Sequence, residues 1–312
     1  MLKSLLEKKE KLMSRKLIFG FSLAGIVIFC LIGLSIYLTN GLKNLKLEYE
    51  FSDLERQNYS MISESAEGDI YAHMFSKECI ILSRDIGQVD VKKVEDCFSQ
   101  YGPPYVVLGD SHAMNVQNIL AKSNLFEFII GISQPGCRPH TASSRCQYES
   151  LIKFLKSNQY LQPKIIFHQS GSYLVKDKFG RWSPTFESQV FYDSASVSSV
   201  IKYLDRLTEF GSDVIWLGPF TEYRINPLKR LDRISEVPSI NFEIFDNLEQ
   251  EIVNQLPENS LFHYVSFDVI FQVPTNPVIE DCFFWRALDH FSPCGEDVIA
   301  TRGDFSVLLE DR

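Results

Sequence analysis

The sequence has no CxxC pair, no HExxH, no EF-hand pattern and no glycine-rich phosphate loop. Those absences leave metal and nucleotide chemistry without a recognisable site, and neither a metal nor a cofactor is expected. Basic residues are also in deficit: 31 Lys and Arg stand against 40 Asp and Glu, a formal net charge of −9. The deficit is uneven. Residues 1–16 hold six Lys/Arg and two Glu, or +4, so the rest of the chain carries −13. So acidic a body repels a phosphate backbone, which argues against nucleic-acid binding. No internal repeat or low-complexity run is visible, and 45% hydrophobic with 23% charged residues is the composition of a folded chain.

Charge is missing altogether from Leu17–Thr39, LIFGFSLAGIVIFCLIGLSIYLT. As a helix this run extends about 34 Å at about 1.5 Å per residue, enough to cross the apolar layer of a bilayer. Lys3, Lys8, Lys9, Lys11, Arg15 and Lys16 precede it, and only Lys43 and Lys46 follow closely. The positive-inside rule therefore predicts a cytoplasmic N-terminus and an exported body. The run is longer than a signal-peptide core, and LTNGLKN offers no small-x-small cleavage pattern, so an uncleaved single-pass anchor in the cytoplasmic (inner) membrane is expected. The expected layout is a basic cytoplasmic tail (1–16), a transmembrane helix (17–39), a juxtamembrane stalk (40–74) and an extracytoplasmic, periplasmic domain (75–312).

Cys30 lies inside the apolar run. The other six cysteines fall as three local couples, with 17, 8 and 11 residues between partners. Without CxxC spacing, disulfides in an oxidising compartment are favoured over a metal cluster. The expected bonds are Cys79–Cys97, Cys137–Cys146 and Cys282–Cys294, each contributing about 2–3 kcal/mol through loop closure.

From about residue 100 short apolar runs (105–108, 126–131, 164–168, 213–217 and 261–265) alternate with helix-like stretches (113–122, 147–157, 194–210 and 242–256). A closing helix is expected at Pro293–Arg302. Runs without polar alternation suit strands buried on both faces. The pattern predicts an α/β fold: a three-layer α/β/α sandwich around a doubly wound, mostly parallel five-stranded sheet.

In such a sheet ligands bind beyond the carboxyl ends of the strands. The stretch VVLGDSHAMN puts Ser111 three residues past the first strand, at a helix start whose free N–H groups suit an oxyanion. Read alone, Ser111 is either a nucleophile or a helix N-cap. A nucleophilic serine needs a base. His112, on the adjacent residue, diverges from it, whereas His290 in ALDHFSPCG follows the last strand and returns to the same rim.

GDSHA at 109–113 resembles the first block of the SGNH/GDSL hydrolase superfamily. Its GDSH form resembles the branch in which the domain is fused to, or works beside, acyltransferase-3 membrane proteins that O-acylate cell-surface glycans. QPGCRPH at 134–140, DVIWLGPFTEY at 213–223 and DHFSPCG at 289–295 resemble later blocks of that branch, and the similarity spans about residues 75–305. The resemblance implies Ser111 as nucleophile, His290 as base, and the N–H groups of Ser111 and Gly136 as an oxyanion hole. Gly109 and Asp110 shape the turn, and Ser292 and Gly295 stand in register with the last block. Two positions depart from the pattern. The triad acid of the family sits three residues before the histidine, where this chain has Ala287. Three readings follow: Asp289 substitutes, a backbone carbonyl orients a Ser–His dyad, or catalysis is impaired. The third block offers Gln169 as a further oxyanion donor in place of the usual Asn.

Trp216, inside its strand, is expected in the core, and Trp182 and Trp285 are candidates for stacking on sugar rings. The resemblance implies serine-dependent O-acylation, most simply O-acetylation, of a cell-envelope polysaccharide or peptidoglycan. A carbohydrate O-acyl esterase or a glycan-binding scaffold on the same fold is the alternative. With no acyltransferase-3 bundle in the sequence, a separate membrane protein of that type is the expected acyl-supplying partner.

Overall fold

The computed structural model describes residues 15–38, 50–66, 74–83, 86–141, 146, 148–182, 189–210, 212–229, 231–232, 234, 236–286 and 288–310. The basic tail up to residue 14, parts of the stalk (39–49 and 67–73) and Ala287 lie outside them. The chain divides into two compact units, Met1–Gln57 and Asn58–Arg312. In the first, helix α1 (Arg15–Leu38) contains a span, Phe19–Leu38, with a mean hydropathy of 2.4 and no buried residue, long and apolar enough to cross a membrane. Helix α2 (Asp53–Ala66) carries Asn58, Ile62 and Ser65, which are buried in the second unit, where Asn58 Nδ2 donates to the Leu231 carbonyl at 2.9 Å.

The second unit is built on a six-stranded, wholly parallel sheet in the order β1-β3-β2-β4-β7-β8. Its strands are β1 (Ile80–Ser83), β2 (Tyr105–Gly109), β3 (Ile129–Ser133), β4 (Lys164–His168), β7 (Asp213–Leu217) and β8 (His263–Val265). All five expected strands are present. The sixth, β1, adds an edge beside β3, and Cys79–Cys97 ties it to helix α3 (Val91–Tyr101). Cys137–Cys146 and Cys282–Cys294 are also bonded, and Cys30 is free.

Alternation along the strands separates two layers. Val106, Leu108, Ile130, Ile132, Ile165, Phe167, Val214 and Trp216 share one core with α3, α5 (Tyr148–Ser157), α6 (Ser194–Thr208) and α7 (Ser239–Gln255). Each such buried aliphatic contributes about 1.5–3 kcal/mol. On the other face lies α4 (Ser111–Ser123), admitted by Gly131, where a Cβ would fall 1.6 Å from Gln117 Oε1. After β8 comes the short helix α8 (Phe267–Phe271), and a buried polar seam joins α4 to α9 (Pro293–Arg302). Asn115 Nδ2 and Asn118 Nδ2 donate to Glu296 at 2.7 and 3.0 Å, and Lys122 Nζ lies 3.2 Å from it. The short strands β5 (Val175–Asp177) and β6 (Val190–Tyr192) pair antiparallel, as do β9 (Val278–Ile279) with β10 (Cys282–Phe283), and β11 (Trp285–Arg286) with β12 (His290–Phe291).

Candidate active site

The strand order reverses around β2: β3 pairs on one side of it and β4 on the other. The register makes Gly109 the partner of both Ser133 and His168, so three strands end on one rung. The segments that follow them, Asp110–Ser111, Gln134–Gly136 and Gln169, therefore emerge at one edge of the sheet. Gly109 is required there by close approach, because a Cβ would lie 1.7 Å from the His168 carbonyl oxygen.

Asp110 is fully buried and locks the turn from both sides. Its Oδ1 accepts the His112 N–H at 2.9 Å as the N-cap of α4, and its Oδ2 accepts the Ser170 N–H at 3.0 Å. Asp110, not Ser111, is thus the cap. Ser111 opens the helix, half-buried at the rim, and its hydroxyl makes no hydrogen bond to any described residue. The loop bearing Gly136 (φ +72°) is tied back to β2 by the Gln134 N–H donating to the Gly109 carbonyl at 3.3 Å. The Cys137–Cys146 bond and the Tyr148 hydroxyl, 2.7 Å from the Cys137 carbonyl, hold the rest of the loop. Gln169 is buried, and both its amide nitrogen and its oxygen lack partners.

His290 stands on β12, whose partner is β11. Trp285 and Phe291 of this hairpin pack with Phe220 and Phe284, and Asn115 Nδ2 donates to the Phe291 carbonyl at 3.2 Å. Asn115 lies one turn beyond Ser111 on the same helix, so a buried hydrogen bond couples the serine helix to the histidine strand. Ser292 caps α9 through the Gly295 N–H at 3.0 Å, and a Cβ on Gly295 would fall 2.3 Å from the Phe284 carbonyl. The S-x-x-G part of the last block is therefore structural.

Asp289 Oδ1 lies 2.7 Å from His290 Nδ1. An ionised carboxylate only accepts, so Nδ1 carries the hydrogen and Nε2 is left able to take a proton. Asp289 Oδ2 faces His112 Nε2 and Arg224 Nη1, each at an ion-pair distance of 3.7 Å. Arg224 Nη1 in turn lies 3.4 Å from the buried Glu222, which accepts the Ser170 hydroxyl at 2.7 Å. The Arg224 backbone, in the left-handed region (φ +56°), donates to the Leu288 carbonyl at 2.7 Å and fixes the hairpin tip. Burial pushes the Asp289 carboxyl up, but hydrogen bonds and charge from His112 and His290 prevail and hold it well below the usual carboxylate range. Burial pulls His112 down, yet Asp289, Asp110 and Glu222 together raise it, favouring its cationic form. Burial raises Glu222, opposed by Arg224.

His112, set aside as a base, is thus part of the site. Its ring stacks on Phe220 at 4.8 Å and meets the His290 ring edge-on at 4.6 Å. Sequence reasoning also missed Glu222 and Arg224, whose only signal was the acidic and basic pair in FTEYR. Among the described residues no hydrogen bond joins Ser111 to His290. His112, Asp289 and His290 present ligand atoms close together, but the Asp289–His290 hydrogen bond and the ion pair to His112 already account for them. Trp285 requires a correction. It is fully buried between Tyr223 and Phe291, because alternation turns it inward where Arg286 turns out, and it presents no face to a sugar. Trp182, 41% exposed, donates its Nε1–H to Asp193 at 3.1 Å.

The family described as the SGNH domain (fused to AT3 domains) matches residues 78–296. The chain belongs to this SGNH family. Its second unit is accordingly an SGNH hydrolase-type, ester hydrolase or acyltransferase domain, of a family described by its fusion to AT3 domains. Solved structures similar to the SGNH chain include the following two. One, from Bacteroides fragilis NCTC 9343 and described as an acylhydrolase, shares 12% identity over 64% of this chain and 84% of its own, with a TM-score of 0.37. The other, from Slackia heliotrinireducens and described as an SGNH hydrolase, shares 14% identity over 64% and 95%, with a TM-score of 0.36. No curated protein matches the chain.

Proposed function

We propose that residues 75–312 form an exported domain that transfers acyl groups through an acyl-Ser111 intermediate. The group is acetyl, and the acceptor is a hydroxyl of a cell-envelope polysaccharide or peptidoglycan. Residues 17–39 anchor the domain in the cytoplasmic membrane with the basic tail inside, and 40–74 form the stalk. A separate acyltransferase-3-type membrane protein supplies the acyl group, a role supported by the fusion of this domain to such proteins elsewhere in the family.

The observation that carries the reading is the 2.7 Å bond from His290 to Asp289, because it supplies an oriented base despite Ala287. His290 Nε2 takes the Ser111 hydroxyl proton as Oγ attacks the donor carbonyl. The oxyanion accepts from the Ser111 and Gly136 N–H groups and from the unpartnered Gln169 amide, each donor contributing about 10²–10³ in rate. The donor alcohol leaves with the proton from His290. A sugar hydroxyl then gives its proton to His290 and attacks the acyl-serine, and His290 returns the proton to Ser111 Oγ as the acyl bond breaks. Water in place of the sugar makes the same machinery an O-acyl esterase.

The test is Ser111→Ala. The wild-type protein should hydrolyse a chromogenic acetyl ester and be labelled by a serine-reactive phosphonate, and the variant should do neither. Product analysis with a glycan acceptor separates transferase from esterase. A wild-type protein that neither turns over nor labels overturns the catalytic reading and leaves a glycan-binding module.

A further inference from the structure

Arg138 lies two residues beyond Gly136 and is not used by the acyl chemistry. A guanidinium is permanently charged, and inside an acidic body it ordinarily finds a carboxylate. Arg138 forms no salt bridge to any described residue. Its Nε donates to the Gly136 carbonyl at 3.3 Å, its guanidinium lies 3.6 Å from the centroid of the Tyr173 ring, and its Nη1 is buried without a hydrogen-bond acceptor. Stacking on tyrosine orients the planar fork but satisfies none of its N–H groups. A desolvated, unpaired donor on a fixed cation is costly unless something occupies it.

The surroundings resemble a carbohydrate site. Both ring nitrogens of His140 are buried without a close hydrogen-bond partner, and burial together with the Arg138 charge, opposed by Asp193 and the Tyr173 backbone, pulls the imidazole down to about 4, so it is neutral. The His140 ring lies 6.4 Å from the exposed Trp182 ring. Lys176 is already committed to Asp193 at 2.6 Å. The cluster adjoins the serine turn: the Tyr173 N–H donates to the Ser170 carbonyl at 3.4 Å, and the Ser170 N–H donates to Asp110 Oδ2 at 3.0 Å.

We propose that Arg138, stacked on Tyr173 and flanked by His140 and Trp182, is a subsite for the carboxylate of an acidic sugar in the acceptor glycan. The assignment rests on the acyl-transfer reading only in calling that glycan the acceptor. A carboxylate fits better than a phosphate, because one guanidinium neutralises one charge bidentately while the acidic body repels a dianion. The carboxylate has two possible sources: a uronic acid, or the lactyl ether of a muramic acid.

The test is equilibrium binding to the full-length protein in neutral detergent, read by intrinsic fluorescence. Trp182 is the exposed tryptophan, whereas Trp216 and Trp285 are fully buried. The probes are a triglucuronate, a muramic-acid-containing disaccharide, and the same two sugars with each carboxyl reduced to an alcohol. At least one acid should bind about tenfold more tightly than its reduced counterpart, as a charge-assisted bidentate pair predicts, and the arm that does so names the source. Arg138→Gln should abolish the preference. Arg138→Lys keeps the charge without the fork and should lose most of it, which carries the test if the glutamine variant misfolds. Lys153→Gln, at an exposed lysine on α5, should keep the preference in full. Equal binding of acid and alcohol, or a preference that survives in both Arg138 variants, overturns the subsite, as does its loss in the Lys153 variant. Binding is read without turnover, and Ser111→Ala should retain it, so failure of the subsite and failure of the acyl chemistry are told apart.

Discussion

Asp289 and His290 are consecutive residues whose side chains bond each other, with Oδ1 and Nδ1 2.7 Å apart. This is possible because the pair straddles the end of a two-stranded hairpin whose tip is held by the Arg224 N–H on the Leu288 carbonyl. Asp289→Asn keeps the shape but removes the charge that fixes the tautomer and stabilises the imidazolium. Acylation of Ser111 by a chromogenic acetate, followed in a single turnover, should slow by about 10²–10⁴ with the fold intact. An Asn variant within threefold of wild type means that another group orients His290.

Gly109→Ala tests the rung on which the site is assembled. Its Cβ would lie 1.7 Å from a backbone carbonyl, which has no side-chain rotamer to relieve the clash. The substitution should cost about 3 kcal/mol and lower the melting temperature by about 6–12 °C. Gly102→Ala is the comparison. It also has a positive φ, +77°, but nothing within 4 Å of the new Cβ, so about 1 kcal/mol is expected. Equal losses at the two positions contradict close approach as the reason for Gly109.

Asp268→Asn tests a buried carboxyl by its pH dependence. Burial, opposed by hydrogen bonds from Thr221, pushes Asp268 up to about 7 from an ordinary 3.8. Between those values the folded protein holds a proton that the unfolded chain has released. The contribution to stability is therefore complete below about pH 4 and lost as pH rises through 7. Asparagine cannot ionise, so the variant should gain on wild type by up to about 1.4 kcal/mol per pH unit across that range. Glu296, raised to about 7, slopes the same way, whereas His140 and His168, lowered to about 4 and about 3, slope oppositely. All three cancel in the difference between variant and wild type. Melting temperatures measured at pH 5 and pH 7 that change in parallel for the two proteins contradict the shift.

Much of the fold was legible because its signals are local. Strands buried on both faces need unbroken apolar runs, and five such runs mark five strands; the closing helix Pro293–Arg302 is announced by Ser292 and a proline. The edge strand Ile80–Ser83 was not legible, since four residues in an acidic stretch carry no periodicity and its pairing with β3 is long-range. Trp285 illustrates the same limit at the site. Its nearness to His290 in sequence was visible, but which way it points depends on hairpin register.

The sequence by itself determined which chemistry is available: an uncharged helix of membrane length, three local cysteine couples, and a GDSH serine with a late histidine, each written in adjacent residues. Tertiary structure alone decided how that chemistry is wired. It put Gly109, Ser133 and His168 on one rung, made Asp110 the cap of the serine helix, and gathered Glu222, Arg224 and His112 around Asp289. Hydrogen bonds and ion pairs act over a few ångströms, and only folding brings residues tens of positions apart, or 177 for His112 and Asp289, within that range.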